Sequence, residues 1–381
     1  MVGQSEDVED DTAGDVLLLI AAQGLQRRRI KELQSQTELC VQVNTVTQRS
    51  SLFLAPRVLL TLPGEARQLL WCPLAAPLAV QPQVDTERDA ELVRFPLEVP
   101  VEGVLSHVLG GVQGAAAGEF HKPACLAVDA EHVFISDCRN HRIQVFRKSD
   151  NAFVRMWGSK GLSNGQFDSP RGVAVDAEHV YVADCENHRI QEFDKATNRF
   201  LRSWGVKGAA AGEFDRPYGV AVDENHVFVT DLGNSRVQVF RKDGIVVRAW
   251  GSAGAGDGEF NQPVGIAIDS SFVYVSDSFN HRVQVFSKPD GAFVRAWGSE
   301  GAGHGQFRYP CGVAVTAASI FVADHLNHRV EVFRKADGAF ERSVGAPGAA
   351  AGQFQNPLGI AVQSGMLHVA DLANHRVQAF R

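Results

Sequence analysis

The 381-residue chain carries 37 Lys and Arg against 44 Asp and Glu, a formal net charge of −7. Its hydrophobic content of 45% and its 36 glycines fit a folded, turn-rich protein and exclude a wholly disordered one. The charge is uneven: residues 1–103 hold 9 basic and 15 acidic side chains, whereas residues 104–381 hold 28 and 29, so the larger part has no bulk attraction for nucleic acid.

The chain opens on an acidic stretch, EDVEDD, and residues 1–15 read as a disordered tail. The apolar run VLLLIAA at 16–22 is too short to span a bilayer, and it follows acids where a secretory signal would carry positive charge. RRR at 27–29 leads into IKELQSQ, which reads as a short amphipathic helix with a solvated basic face. Beyond it ELCVQVNTV, SLFLA, RVLLTLP, RQLLWCPLA and ELVRFPLEV look like strands between turns. Residues 16–100 are therefore expected to form a small β-rich or mixed domain with one helix; the alternative is a partly ordered extension. The six cysteines show no C-x-x-C pair, which excludes RING-type and ribbon-type zinc modules and points to reduced thiols in the cytoplasm or nucleus.

From residue 104 onward the sequence repeats. Pro123, Pro170, Pro217, Pro263, Pro310 and Pro357 each open a unit of 46 or 47 residues, a period that suggests propeller blades when only strand signals are present. In 170–205, PRGVAVD, HVYVAD, HRIQEFD and FLRSWG read as four short strands, and Gly-rich GVKGAAAGEF leads to the next proline. The expected fold is all-β: a six-bladed β-propeller of four-stranded antiparallel blades over 104–381, preceded by the small N-terminal extension. Val173, Val175, Tyr181, Ile190, Phe193 and Trp204 should pack between neighbouring blades. The last unit stops after its third strand, and GVLSHVLG at 103–110 aligns with AFVRAWGS at 292–299. Residues 104–109 are thus expected to supply the missing outer strand and close the ring.

DCRNHRIQVF at 137–146 places an acid, a histidine and an arginine within six positions, and it recurs in every unit. The pairs Asp137/Arg142, Asp184/Arg189, Asp231/Arg236, Asp277/Arg282, Asp324/Arg329 and Asp371/Arg376 read as a structural clasp on a turn, since Asp and Asn suit such turns and Ser235 replaces the histidine in the third unit. The two residues of a pair can meet within one blade or between blades. The functional alternative, a ring of His or Asp around a metal, requires convergence on one point, and six separate turns do not offer it. No catalytic residue, metal or cofactor is expected. The Gly-rich linkers lack the Gly-Lys-Ser/Thr ending of a phosphate loop and read as turns.

The succession P-x-G-V-A-V-D, V-Y-V-A-D, N-H-R-I-Q-x-F over roughly 104–381 resembles the NHL repeat, with the name-giving pair at Asn140/His141, Asn187/His188, Asn280/His281, Asn327/His328 and Asn374/His375. That resemblance implies a six-bladed propeller used for recognising protein or single-stranded RNA, often within tripartite-motif ubiquitin ligases. No RING, B-box or coiled coil is read in 1–103. A zinc-dependent amidating lyase branch carries histidines just after the blade-opening proline, but here those positions are Ala124, Arg171, Tyr218, Val264, Cys311 and Leu358.

Repeat scaffolds vary the residues that meet a ligand. The variable positions near each proline and after each repeat aspartate include Lys122, Arg139, Arg171, Arg216, Tyr218, Phe279, Arg308, Tyr309 and His325. Arg and aromatic side chains are the types that anchor binding sites. The leading expectation is a monomeric, non-membrane recognition scaffold that binds a protein or peptide segment on this face, in a ubiquitin-ligase pathway or outside one. Single-stranded RNA stacked on the tyrosines is the second expectation, and metal-dependent lyase chemistry the third. Asp168, Glu186 and Asp215 on the same rim dilute the positive charge, which favours protein.

Overall fold

A computed structural model describes residues 103–381 in full and, for the N-terminal part, the backbone of three strands, Cys40–Asn44, Arg57–Thr61 and Gln68–Leu70. The chain divides into two units, Met1–Val99 and Pro100–Arg381. In the first, the three strands pair antiparallel in sequence order. The acidic tail, the helix expected after 27–29 and the strands expected at SLFLA and ELVRFPLEV lie outside the described residues.

The second unit is a six-bladed propeller of four-stranded antiparallel sheets. In the second blade Pro170–Val175, His179–Asp184, Arg189–Asp194 and Phe200–Trp204 run in that order from the inside outward. The only helical elements among the described residues are five three-residue 3-10 turns, each following a repeat aspartate. None of the described helices is long and apolar enough to cross a membrane. The sixth blade takes its outer strand from Leu105–Gly110, which pairs with Arg376–Phe380. Val104 and Arg381 exchange two backbone hydrogen bonds of 2.8 and 2.9 Å at its end.

Strand alternation gives each blade two apolar faces, and each face packs on a different neighbour. Val173, Phe193 and the linker's Phe167 join Phe134 and Ile143 of the first blade, with Val175 half-buried against them. Tyr181 and Ile190 pack instead with Phe214, Val227 and Phe240 of the third blade, with Trp204 alongside. No blade has a core of its own, so ring closure is what buries the apolar surface.

Two features of the sequence have roles that turn chemistry alone does not suggest. Each Gly-rich linker ends on a phenylalanine with no exposed surface: Phe120, Phe167, Phe214, Phe260, Phe307 and Phe354. Gly158, at φ +104°, lets the second of these approach, since a Cβ there would lie 2.6 Å from the Phe167 ring. On the innermost strand, a Cβ on Gly219 would sit 2.4 Å from the carbonyl oxygen of Val264 in the next blade. The inner glycine thus allows neighbouring inner strands to approach closely, and the channel they leave encloses only about 70 Å³.

Candidate ligand face at the channel mouth

Pro170 pairs with Asp184, and the equivalent proline–aspartate pairing recurs in all six blades. The loop entering each inner strand and the turn between second and third strands therefore share one face of the ring. That face carries all nine of the variable residues named from the sequence.

The clasp holds it together. Asp184 is fully buried, and its Oδ1 accepts the Asp168 backbone N–H at 2.7 Å. Its Oδ2 accepts from Asn187 Nδ2 at 2.9 Å, Arg189 Nε at 2.8 Å and Gln191 Nε2 at 3.0 Å. The Arg Nε–Asp Oδ2 bond recurs in the other five blades. Arg142 donates to Asp137 at 2.7 Å, Arg236 to Asp231 at 2.8 Å and Arg282 to Asp277 at 2.7 Å. Arg329 donates to Asp324 at 3.0 Å and Arg376 to Asp371 at 2.7 Å. The pairing is therefore within a blade in every case, and the alternative of a contact between blades does not occur.

Each of these arginines also reaches back to the Gly-rich linker ahead of its own blade. Arg189 Nη2 donates to the carbonyls of Ser163 and Gln166. Arg236 Nη2 does the same to Ala210 and Glu213, with Nη1 on Ala209, and Arg282 Nη2 to Gly256 and Glu259. The six guanidinium groups are not equally enclosed. Arg142 and Arg376, in the first and last blades, are buried, whereas Arg189, Arg236, Arg282 and Arg329 keep an edge in solvent where they cover the linker. The aspartates are fully buried in all six. A buried carboxylate with four donors, one of them its own cation, is saturated; Asp324 has three, since Glu331 replaces the donating glutamine, and all six sites are structural.

The repeat histidine closes each turn in the left-handed region, with φ between 53° and 57°. Its Nδ1 accepts a backbone N–H from the next blade: Ser169 onto His141, Arg216 onto His188, Tyr309 onto His281, Asn356 onto His328 and Lys122 onto His375, at 3.1 to 3.3 Å. Each of those donors precedes a blade-opening proline and itself has φ between 55° and 60°. Residues before proline ordinarily adopt extended backbone, so the histidine holds a strained residue in place. Sequence reading assigned the histidine to the turn but missed this inter-blade bond, because the partner is a backbone group.

The nine variable residues separate into two sets. Lys122, Arg139, Arg216, Phe279 and Arg308 are exposed, while Arg171, Tyr218, Tyr309 and His325 are half-buried around the channel mouth. The side chains of Lys122, Arg139 and Arg308 stand in solvent without a partner, whereas Arg216 lies 3.6 Å from Asp215. Tyr309 is edge-on to Phe279, 5.0 Å between centroids, and 5.8 Å from His325. His325 Nδ1 donates to the Pro357 carbonyl at 3.1 Å, and burial lowers its pKa, so it is a neutral wall residue. Arg171 lies over the Tyr218 ring, with the guanidinium carbon 5.2 Å from the centroid.

Beneath these side chains Ala124, Cys138, Leu232, Val264, Cys311 and Leu358 form an apolar floor. Only the alternation of small and apolar residues after each proline and each repeat aspartate hinted at it. Burial pushes the Cys138 and Cys311 thiols up and Cys185 to about 12, so these are packed thiols rather than nucleophiles. Exposed Leu326 holds the position in the fifth blade that Phe279 holds in the fourth, with its N–H on the Arg308 carbonyl at 3.0 Å, and was not picked out from the sequence. Among the described residues no three His, Cys, Asp or Glu side chains gather as a metal-ligand set.

The opposite face has another character. Lys195, Lys242, Lys288 and Lys335 each reach an aspartate of the preceding blade, Asp129, Asp176, Asp223 and Asp269, at 2.7 to 3.2 Å. Charges there are spent across blade seams, whereas the channel-mouth face keeps unpaired cations and exposed aromatics.

The sequence matches the NHL repeat at residues 120–146, 167–193, 214–240 and 260–286, in the first four blades. No curated protein matches the chain. Among solved structures, a protein of unknown function from Bacteroides thetaiotaomicron is 17% identical, covers 90% of this chain and 88% of its own, and superposes with a TM-score of 0.57. A streptogramin B lyase is 11% identical, covers 70% of this chain and 95% of its own, with a TM-score of 0.51. At such identities the likeness is one of fold. Repeat match and blade count agree: residues 103–381 form a six-bladed β-propeller whose first four blades match the NHL repeat.

Proposed function

We propose that the channel-mouth face is a non-catalytic recognition surface for a protein or peptide segment. The observation that carries this reading is Phe279, 47% exposed and edge-on to Tyr309 beside an apolar bowl, with Leu326, 51% exposed, at the equivalent position of the next blade. Aromatic and apolar anchors beside a pocket, ringed by unpaired Arg and Lys, are the composition of a protein-binding hot spot. A substrate-recognition role beside a separate ubiquitin ligase would use the same face.

Single-stranded RNA is the second reading, supported by the unpaired Lys122, Arg139 and Arg308. A flat stacking platform is missing, however: Tyr218 lies under Arg171, and Tyr309 meets Phe279 at 87°. Peptide-library selection on the full chain tests the proposal. Selected peptides should lose at least about ten-fold in affinity on Phe279→Ala combined with Leu326→Ser, with the melting temperature unchanged. Peptides indifferent to that pair, beside salt-dependent retention of oligouridine, would overturn it.

A further inference from the structure

Arg171 is the one charged residue among the six that follow the blade-opening prolines; its counterparts are Ala124, Tyr218, Val264, Cys311 and Leu358. Its Nε is shut off from solvent and has no hydrogen-bond partner. Nη1 meets only the Tyr218 hydroxyl, at 3.5 Å. No carboxylate among the described residues comes within ion-pair distance of the guanidinium. Other enclosed arginines have firmer partners: Arg142 and Arg376 hold clasp aspartates, Arg155 donates to the Lys195 carbonyl, and Arg248, whose Nε is likewise enclosed and unbonded, donates from Nη2 to the Lys288 carbonyl. An arginine remains charged at any ordinary pH, so the mouth of the ring holds a partly desolvated cation with no counter-ion.

Resting on the peptide-binding reading above, we infer that Arg171 is the receptor for a carboxylate of the bound segment, either a C-terminus or an Asp or Glu side chain, seated over the Tyr218 ring. A guanidinium presents Nε and Nη donors in parallel, which a carboxylate matches with two bonds. The apolar floor excludes water and strengthens that pair, and the cost of partly burying the arginine is already met in the free protein. A single carboxylate matches the mouth itself, where Arg171 is the one cation over the apolar floor; Lys122, Arg139 and Arg308 stand farther out in solvent on a rim that also carries Asp168 and Asp215. The exposed Phe279 against Tyr309, on the same face, takes an apolar side chain of the same segment, so the ligand combines a carboxylate with an apolar residue.

The test uses the full chain and peptides selected from a random library, each resynthesised in three forms: free acid, C-terminal amide, and Asp/Glu replaced by Asn/Gln. Fluorescence anisotropy should show one of the two neutral forms binding about ten- to a hundred-fold more weakly than the acid, as expected for losing a charge-assisted pair. Which form loses affinity identifies the source of the carboxylate. Arg171→Met should abolish that discrimination while leaving the neutral forms' affinity within about three-fold, the margin set by unchanged apolar contacts. Equal affinity for acid and neutral forms, with binding still lost on Phe279→Ala, would overturn the role of Arg171 and leave the recognition surface standing. Peptides insensitive to Phe279 as well, or oligouridine binding that depends on Arg171, would overturn both. The acid–neutral comparison is made on the unaltered protein, so it decides the matter even if Arg171→Met does not fold.

Discussion

Replacing Glu331 by Gln should stabilise the protein, and by more at pH 8 than at pH 5. Five blades carry a glutamine at this position: Gln144, Gln191, Gln238, Gln284 and Gln378. Each donates from Nε2 to a linker carbonyl at 2.6 to 2.7 Å and to the clasp aspartate at 3.0 to 3.2 Å. Glu331 has no exposed surface and, when ionised, can make neither bond. It accepts the Gly305 N–H at 3.2 Å and forms an ion pair with Arg329 Nη2 at 2.9 Å that is not aligned as a hydrogen bond. Burial pushes its pKa up to about 7, with Arg329 opposing and Asp324 adding to the rise.

A folded-state pKa above the unfolded value means that the native state binds more protons between roughly pH 4.5 and pH 7. The wild-type protein therefore loses stability as pH rises through that window, by about 2.5 kcal/mol between pH 5 and pH 8. Glutamine removes this slope and restores two hydrogen bonds, one to a linker carbonyl and one to the clasp carboxylate, each contributing about 1 kcal/mol or more, against the loss of one ion pair. Thermal melts of wild type and Glu331→Gln at both pH values, followed by circular dichroism, read the difference directly. The variant's advantage should widen by roughly 5–10 °C from pH 5 to pH 8 for a domain of this size. Gln238→Glu in the third blade should produce the mirror image. An advantage that is the same at both pH values, or a variant less stable at pH 8, would refute the account.

His368 should give a slope of the opposite sign. Its Nδ1 is enclosed without a partner, its ring packs 6.0 Å from that of His107, and burial lowers its pKa to about 3, with His107 and Lys148 adding to the effect. The unfolded state takes up a proton near pH 6.5 that the folded state refuses, so this contribution is complete above that value and falls by about 2 kcal/mol at pH 5. His368→Phe, the residue found at the equivalent Phe134, should flatten the acid limb of a stability–pH profile measured by urea denaturation; an unchanged limb counts against the buried neutral imidazole. Asp184→Ala should cost about 3–5 kcal/mol by leaving Arg189 without its buried counter-charge. Asp184→Asn should cost nearly as much, because an amide NH2 in place of either oxygen would face a donor; a mild Asn variant in calorimetry would show that the carboxylate is not the hub described.

The ring was legible because its causes are local and repeated: the 46–47-residue period, β-branched runs such as HVYVAD, and turn chemistry at Asp184–Arg189. The pairing of Asp with Arg was legible for the same reason, since both stand on one hairpin. Its second half was not: that Arg236 and Arg282 also tie down the linkers at Ala210–Glu213 and Gly256–Glu259 depends on residues 23 to 26 positions away. Across blade boundaries the strand residues Val173, Val175, Tyr181, Ile190, Phe193 and Trp204 were legible, but the linker phenylalanines and inner-strand glycines were not. Phe167 looked like the tail of a Gly-rich turn because its core partner Phe193 lies in the following strands, 5.6 Å away. Gly219 reads as a small strand residue until the Val264 carbonyl is placed beside it. At the channel mouth, the sequence marked Arg171, Tyr218 and Tyr309 as variable, but which of nine variable residues converge depends on ring curvature. Cys138 and Arg139, adjacent in the chain, part company: one is in the floor and the other in solvent.

Scaffold and site are joined at a single atom per blade. The clasp fixes the turn, the turn places the histidine in left-handed geometry, and histidine Nδ1 then receives the N–H of the residue before the next proline. A non-glycine residue there costs on the order of 1–3 kcal/mol in backbone strain, and it is held because the proline, the clasp and the histidine over-determine it. Those strained residues include Lys122, Arg216 and Tyr309, whose side chains stand on the ligand face. Their identities can change because only their backbone is used by the scaffold, and their positions cannot drift because the neighbouring blade's histidine fixes them. In the third blade Ser235 stands in place of the histidine, with φ 51°, and Gln262, the residue it would hold, keeps φ 56°. The geometry therefore survives the loss of one histidine in the ring, as expected when the remaining constraints act from both sides of the same peptide.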